Sequence, residues 1–160
     1  MPRDWMLMRC PLTLSLEPAS WPDGYRPTDL REGRSEAFHR LLAEVYEGDP
    51  DILPYEDWWR AVSNDSEFDA ALCFLLLAHD GTVAAVALNW NSGFVKDLAV
   101  APGHRRSGLG RALLLHSLAA FRERGIEWAT LKVLKANPYK AWKLYESVGF
   151  RKADPEDAGT

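Results

Sequence analysis

The 160-residue sequence is short of the features that mark several large protein classes. It has two cysteines, Cys10 and Cys73, in no metal-binding or redox spacing. Both are expected to be reduced thiols in a cytoplasmic protein. Its four histidines are scattered, and none falls in an HExxH pattern, so no metal site is expected. No apolar run is long enough to span a bilayer, and Asp4, Arg9 and Pro11 interrupt any signal-peptide core. Positive charge is not in excess. The net charge of −4 argues against general nucleic-acid binding. Internal repeats and low-complexity tracts are also missing.

Hydrophobic residues make up 47% of the chain and charged residues 26%, which suits one ordinary globular domain over residues 1–160. Residues 1–24 read as an N-terminal extension with an extra strand, and 151–160 as a flexible tail. The charge is unevenly placed. Glu17 to Asp69 holds 14 acidic and 5 basic side chains, whereas Phe94 to Lys152 holds 12 basic and 4 acidic. Such a bipolar surface draws a polyanion to one side and a cation to the other.

The most informative stretch runs from Phe94 to Phe121. An apolar strand leads into Arg105-Arg106-Ser107-Gly108-Leu109-Gly110-Arg111, and a long helix follows. A helix start has four unpartnered N–H groups and a partial positive charge. Glycines let a ligand approach the backbone, so the turn suits a phosphate. A plain strand-to-helix turn with solvated arginines would have the same composition. No Gly-Lys-Ser/Thr follows, so the turn is not a Walker A loop. Leu113 stands where a dinucleotide fingerprint needs its third glycine.

Around that stretch, periodicity predicts the elements. Alternation at Leu12-Thr13-Leu14-Ser15-Leu16 predicts a half-buried strand. Gly24 to Leu30 is a short extended segment, held to a sheet edge by Pro27. Phe38, Leu41, Leu42 and Val45 give a helix from Ser35, its expected N-cap, to Tyr46. A shorter helix follows Pro54. Strands over Ala71–His79, Thr82–Asn91 and Phe94–Ala101 form an antiparallel meander through the turns Asp80-Gly81 and Ser92-Gly93. A helix over Gly108–Arg124 stops at Gly125. The strand Trp128–Leu134 should lie parallel to the one ending at Ala101. A last helix covers Pro138–Val148, capped by Asn137.

Two blocks, Arg105-x-x-Gly108-x-Gly110 and Asn137-Pro138-x-x-Ala141-x-x-x-Tyr145-Glu146-x-x-Gly149-Phe150, resemble the motifs of the GCN5-related N-acetyltransferases. The resemblance covers roughly Ala71 to Phe150. It implies an α/β fold with a mixed central sheet, an antiparallel meander, two splayed central parallel strands and flanking helices. The family's last strand hairpin looks shortened here. The strand near Leu12 to Leu16, or a partner subunit in a homodimer, is a candidate to replace it.

The resemblance also implies a reaction, acetyl transfer from acetyl-coenzyme A to a primary amine on a small molecule, peptide or protein, by direct attack in a ternary complex. Arg105, Arg106, Ser107, Gly108, Leu109, Gly110 and Arg111 would bind the cofactor's phosphates. Leu98, Ala99 and Val100 would pair with its pantetheine arm, and Asn137 and Tyr145 would complete its site. Tyr145 would be the general acid, although its position on an amphipathic helix equally describes a core residue. The base has several candidates. Asp97 is the only carboxylate on the first central strand, but simple alternation aims it at the core side. Lys132 occupies a place where a glutamate sometimes sits. Water, or an acid from the N-terminal half, would serve instead. The acceptor would enter near Tyr46, Asp49, Asp51, Tyr55, Glu56, Trp58 and Trp59, where acids and aromatics suit a cation. The alternative reading is a non-catalytic acyl-coenzyme A-binding regulatory module.

Overall fold

The computed structural model describes residues 4–13, 16–135 and 141–154. Its core is a seven-stranded mixed sheet. The strands are β1 (Trp5–Pro11), β2 (Arg26–Asp29), β3 (Phe74–Leu77), β4 (Val83–Asn89), β5 (Phe94–Val100), β6 (Trp128–Leu134) and β7 (Arg151–Lys152), in the spatial order β2-β3-β4-β5-β6-β1-β7. Among the described residues four α-helices flank it: α1 (Ser35–Val45), α2 (Tyr55–Ser63), α3 (Leu109–Glu123) and α4 (Ala141–Val148).

The centre of the sheet follows from composition. β3 reads FLLL and β4 reads VAAVALN, and every one of these residues except Val83 is buried. Strands covered on both faces lose the polar alternation of half-exposed ones. One face packs on α1 and α2 through Phe38, Leu41, Leu42, Trp58 and Val62, which meet Leu75, Leu77, Val86, Leu88 and Ala99. The other face packs on α3 and α4. Leu113 meets Leu76 and Ala85 there, while Leu114, Leu118 and Phe121 meet Met8, Ala129, Leu131 and Phe150. Pro27 sits in β2, at the sheet edge, where its missing N–H costs no ladder bond.

Three expectations need correction. The N-terminal strand is Trp5–Pro11, upstream of the Leu12–Leu16 alternation; Leu12 and Thr13 form a turn, and Leu14 and Ser15 lie outside the described residues. Met8, Cys10 and Leu12 all reach the α3 core, so the inward period starts earlier than the leucines suggested. Second, the tail begins with a strand, because Arg151 and Lys152 pair with Arg9 and Met8. β1 thus lies between β6 and β7, and the chain's own N-terminal strand fills the sheet beside β6. Third, Ser35 is the first helical residue. The cap position belongs to Arg34 in the left-handed region (φ 73), and the Ser35 hydroxyl shares a 2.7 Å hydrogen bond with Tyr55.

Candidate active site

The site begins with an irregularity in β5. Leu88 of β4 faces Asp97, but the next residue, Asn89, faces Val95, so Lys96 is an extra residue. Such a β-bulge bends its strand and reverses the alternation beyond it. Val95 packs toward α3, and without the bulge Asp97 would do the same. With it, Leu98 and Val100 take the α3 side, while Ala99 joins the α1/α2 core. Asp97, two residues before Ala99, is therefore on the α1/α2 side. Simple alternation aims Asp97 at the α3 face; this one inserted residue aims it at the α1/α2 face instead.

The bulge also ends a strand pairing. β5 and β6 are parallel and paired only at Phe94 with Thr130 and Val95 with Leu131; beyond these the strands part. The main-chain groups facing the gap follow from the ladder. Ala101 donates to Ala84, so Ala99 and Asp97 face β4, and Leu98 and Val100 face the gap. Two side chains take up the gap-facing carbonyls. Tyr46 donates its hydroxyl to Leu98 O at 3.3 Å, and Arg105 donates its Nε–H to Val100 O at 3.3 Å. The N–H groups of Leu98 and Val100 point into the gap. Of the three strand residues singled out in the sequence, Ala99 is turned away from it.

The turn after β5 is built for a close approach. Arg106 (φ 68) and Gly108 (φ 78) both adopt the left-handed region, and Gly108 is the residue before α3. A side-chain carbon at Gly108 would meet nothing within 4 Å, so the backbone there opens to solvent. At Gly110 the same carbon would lie 3.4 Å from Val100 and 3.9 Å from Leu144, so that glycine seats the helix against the sheet. Arg105, Arg106 and Ser107 are exposed, and Leu109 is buried. Ser107 donates to the His104 carbonyl at 2.7 Å. Arg111 is engaged by Glu17 in an ion pair, and Arg105 by the Val100 carbonyl. The exposed Gly108 backbone, the 15-residue helix behind it and the gap-facing amides fit a phosphate-bearing, amide-rich cofactor arm.

Tyr145 projects from α4 and packs edge-on against Phe150, with ring centroids 6.0 Å apart. Burial, and then the negative charge of Asp97, push its phenol up to about 12. Tyr46 is shifted upward for the same reasons, with further contributions from Tyr145 and Asp49. Burial raises the Asp97 pKa; the Lys96 ammonium, 3.4 Å away, opposes this, and Asp49 reinforces it. Asp97 is thus linked electrostatically to Tyr46, Tyr145 and Asp49. In the sequence Tyr46 stands only as an acceptor-side aromatic; its link to Leu98 spans 52 residues and has no local signature. Asn137 lies outside the described residues.

The expected acceptor cluster divides. Asp51 and Trp58, with Asp65, Trp90 and Lys96, line a cavity of about 160 Å³. Trp59 packs on Phe68, and Tyr55 lies against His39. Glu56 is exposed. His116, expected to be packed or solvated, is half-buried against Phe74, with ring centroids 4.5 Å apart. Lys132 is exposed, opposite Leu7 of β1. No group of three or more potential metal ligands occurs among the described residues, and no described helix is long and apolar enough to cross a membrane.

Comparison with known proteins agrees with this architecture. The sequence model of the Acetyltransferase (GNAT) family matches residues 29–150. The chain therefore belongs to the GNAT acetyltransferase family. Mycothiol acetyltransferase of Thermobispora bispora is 35% identical over 158 residues, covering 89% of this chain and 52% of that protein. The [ribosomal protein bS18]-alanine N-acetyltransferase of Escherichia coli is 38% identical over 80 residues, covering 48% of this chain and 53% of its own. The chain thus spans about half the length of these curated relatives. Among solved structures, a GCN5-related N-acetyltransferase from Sphaerobacter thermophilus superposes with a TM-score of 0.83 at 22% identity, covering 94% of this chain and 49% of that one. The Escherichia coli ribosomal-protein-S18-alanine N-acetyltransferase gives a TM-score of 0.64 at 26% identity, over 81% and 79%.

Proposed function

We propose that the chain is an acetyl-coenzyme A-dependent N-acetyltransferase acting on a primary amine by direct attack in a ternary complex. The observation that carries this reading is the gap between β5 and β6, whose Leu98 and Val100 amides open beside the Gly108 turn. When bound, the cofactor supplies an activated acyl thioester. The Gly108–Gly110 backbone and Arg106 would hold its phosphates, and the Leu98 and Val100 amides its pantetheine arm and thioester oxygen. An amide aimed at developing oxyanion charge is the strongest kind of help a backbone gives to acyl transfer.

In this mechanism Asp97 accepts a proton from the acceptor ammonium, directly or through water. Its raised pKa brings it closer to the pH at which it works as a base. Tyr145 stays protonated at neutral pH and donates to the departing thiolate. The acceptor enters from the α1/α2 side, past Asp49 and Asp51. Tyr145 is the residue that separates this reading from a non-catalytic acyl-coenzyme A-binding module, which would keep the turn without needing the phenol. The test pairs two measurements. Acetyl-coenzyme A should raise the melting temperature, and a panel of amines should reveal acceptor-dependent release of free thiol. A melting temperature that stays put at saturating cofactor would overturn the proposal.

A further inference from the structure

Lys96 holds an unusual place. It is the first of the six lysines in the sequence and is the extra residue of the β5 bulge. Its side chain lines the cavity between Trp58 and Trp90, on the side from which an acceptor would come, and is 41% exposed. Its Nζ lies 3.4 Å from Oδ2 of Asp97, a carboxylate only 15% exposed. A primary amine therefore already stands beside the candidate base, two residues before the Leu98 amide that faces the gap. The other described lysines, Lys132, Lys135, Lys143 and Lys152, are exposed as Lys96 is, but they lie on β6, α4 and β7 or just beyond them and not at the β5 bulge.

We infer that Lys96 is itself an acceptor, so that the chain acetylates its own Lys96 when no other amine occupies the site; this rests on the donor reading above. Lys96 gives one proton from its ammonium to the Asp97 carboxylate. The Nζ lone pair then forms a bond to the thioester carbonyl carbon as the carbon–sulfur bond breaks. The departing thiolate takes a proton from Tyr145. The second nitrogen proton restores Tyr145, and Asp97 returns its own to solvent. One ammonium becomes one neutral amide, one thiol is formed and one proton is released. The product removes the positive partner of Asp97, leaving that buried carboxylate beside Asp49 without its cation. The modification thus raises the Asp97 pKa further and fills the acceptor side of the site with an acetylated side chain. A free amine that reaches Asp97 first protects the enzyme by displacing Lys96.

The experiment uses the full chain, isotopically labelled acetyl-coenzyme A and no added amine, with each lysine followed by peptide mass spectrometry. Lys96 should label about tenfold or more faster than Lys132, Lys135, Lys143 and Lys152, a preference of about 1.4 kcal/mol in barrier. Heat-unfolded chain should lose that preference, and Asp97→Asn should reduce it. The cofactor-free protein gives a second readout. The Asp97 carboxyl carbon should titrate at higher pH in Lys96→Met than in the wild type or in Lys96→Arg. Labelling of Lys96 at the rate of the other lysines, a preference that survives unfolding, or an Asp97 titration indifferent to Lys96→Met would each overturn the inference. If the amine panel releases thiol while Lys96 stays unlabelled, self-acetylation falls and the transferase reading stands. If acetyl-coenzyme A fails even to raise the melting temperature, both fall.

Discussion

The hydroxyl of Tyr46, at the end of α1, donates to the carbonyl of Leu98 in β5 across 3.3 Å. The bond ties the first helix to the strand at the place where β5 leaves β6, and it occupies a carbonyl that faces the gap. Tyr46→Phe keeps the ring and removes the donor. It should cost about 0.5–1.5 kcal/mol of stability, read from urea unfolding with an unchanged slope. The same substitution should alter the affinity for acetyl-coenzyme A, because the Leu98 carbonyl is then open to another donor.

Gly93 immediately precedes β5, where its carbonyl accepts from Thr130 of β6. Its φ is +96, and a side-chain carbon there would lie 2.6 Å from the Trp128 carbonyl oxygen. Gly93→Ala carries both backbone strain and a clash, so a loss of about 3 kcal/mol is expected. Gly81 has a similar φ of +88 but open space around it. Gly81→Ala should cost only the strain, about 1–2 kcal/mol. Equal losses in chemical denaturation would contradict the close approach at Gly93.

The Gly108 turn separates folding from binding. The first side-chain carbon of Gly108→Asp would meet nothing within 4 Å, and aspartate tolerates the left-handed conformation better than most residues. The variant should fold, with a melting temperature near that of the wild type, and should lose the stabilisation given by acetyl-coenzyme A, since a carboxylate would face the phosphates. Retained cofactor affinity in calorimetry would place the phosphate site elsewhere.

Tyr145→Phe should lower turnover by about 100-fold or more while sparing cofactor affinity. Asp97→Asn should act differently. The wild-type profile of kcat/KM against pH should show an acid limb above the ordinary aspartate value of 3.8, because burial raises this group. That limb should vanish in the asparagine variant. An unchanged profile would remove Asp97 from the reaction and leave proton removal to water.

His116 makes stability itself pH-dependent. Burial lowers its pKa below the usual 6.5, while Glu123 and Asp29 oppose the shift. The folded state thus disfavours the imidazolium, and the unfolded chain binds the extra proton first. Stability should fall as pH drops below about 6.5 and level off once the folded histidine titrates. His116→Phe, which keeps the ring contact with Phe74, should flatten that part of the melting-temperature profile.

Local rules made much of the fold legible. The segment Trp128–Leu134 is strand as its period predicts, Pro27 marks an edge strand, and Pro54 precedes α2. Gly125 follows α3 in the left-handed region, as a C-terminal stop requires. Ser35 failed as a cap because its hydroxyl found Tyr55, a partner 20 residues away. The placement of the N-terminal strand at Leu12–Leu16 failed because those residues alternate more cleanly than Trp-Met-Leu-Met-Arg-Cys-Pro of the true strand. Only pairing with β6 selects Trp5–Pro11.

By itself, the sequence determined the order and type of most elements, the Gly108–Gly110 turn and the family, since these depend on neighbours a few residues apart. Tertiary structure alone decided the rest. It put β1 between β6 and β7, tied Tyr46 to Leu98 and occupied Arg111 with Glu17. It also bulged Lys96 out of β5, which turned Asp97 toward α1 and α2. A bulge is defined by the register of two strands, and a period-two pattern read along one strand carries no record of its partner.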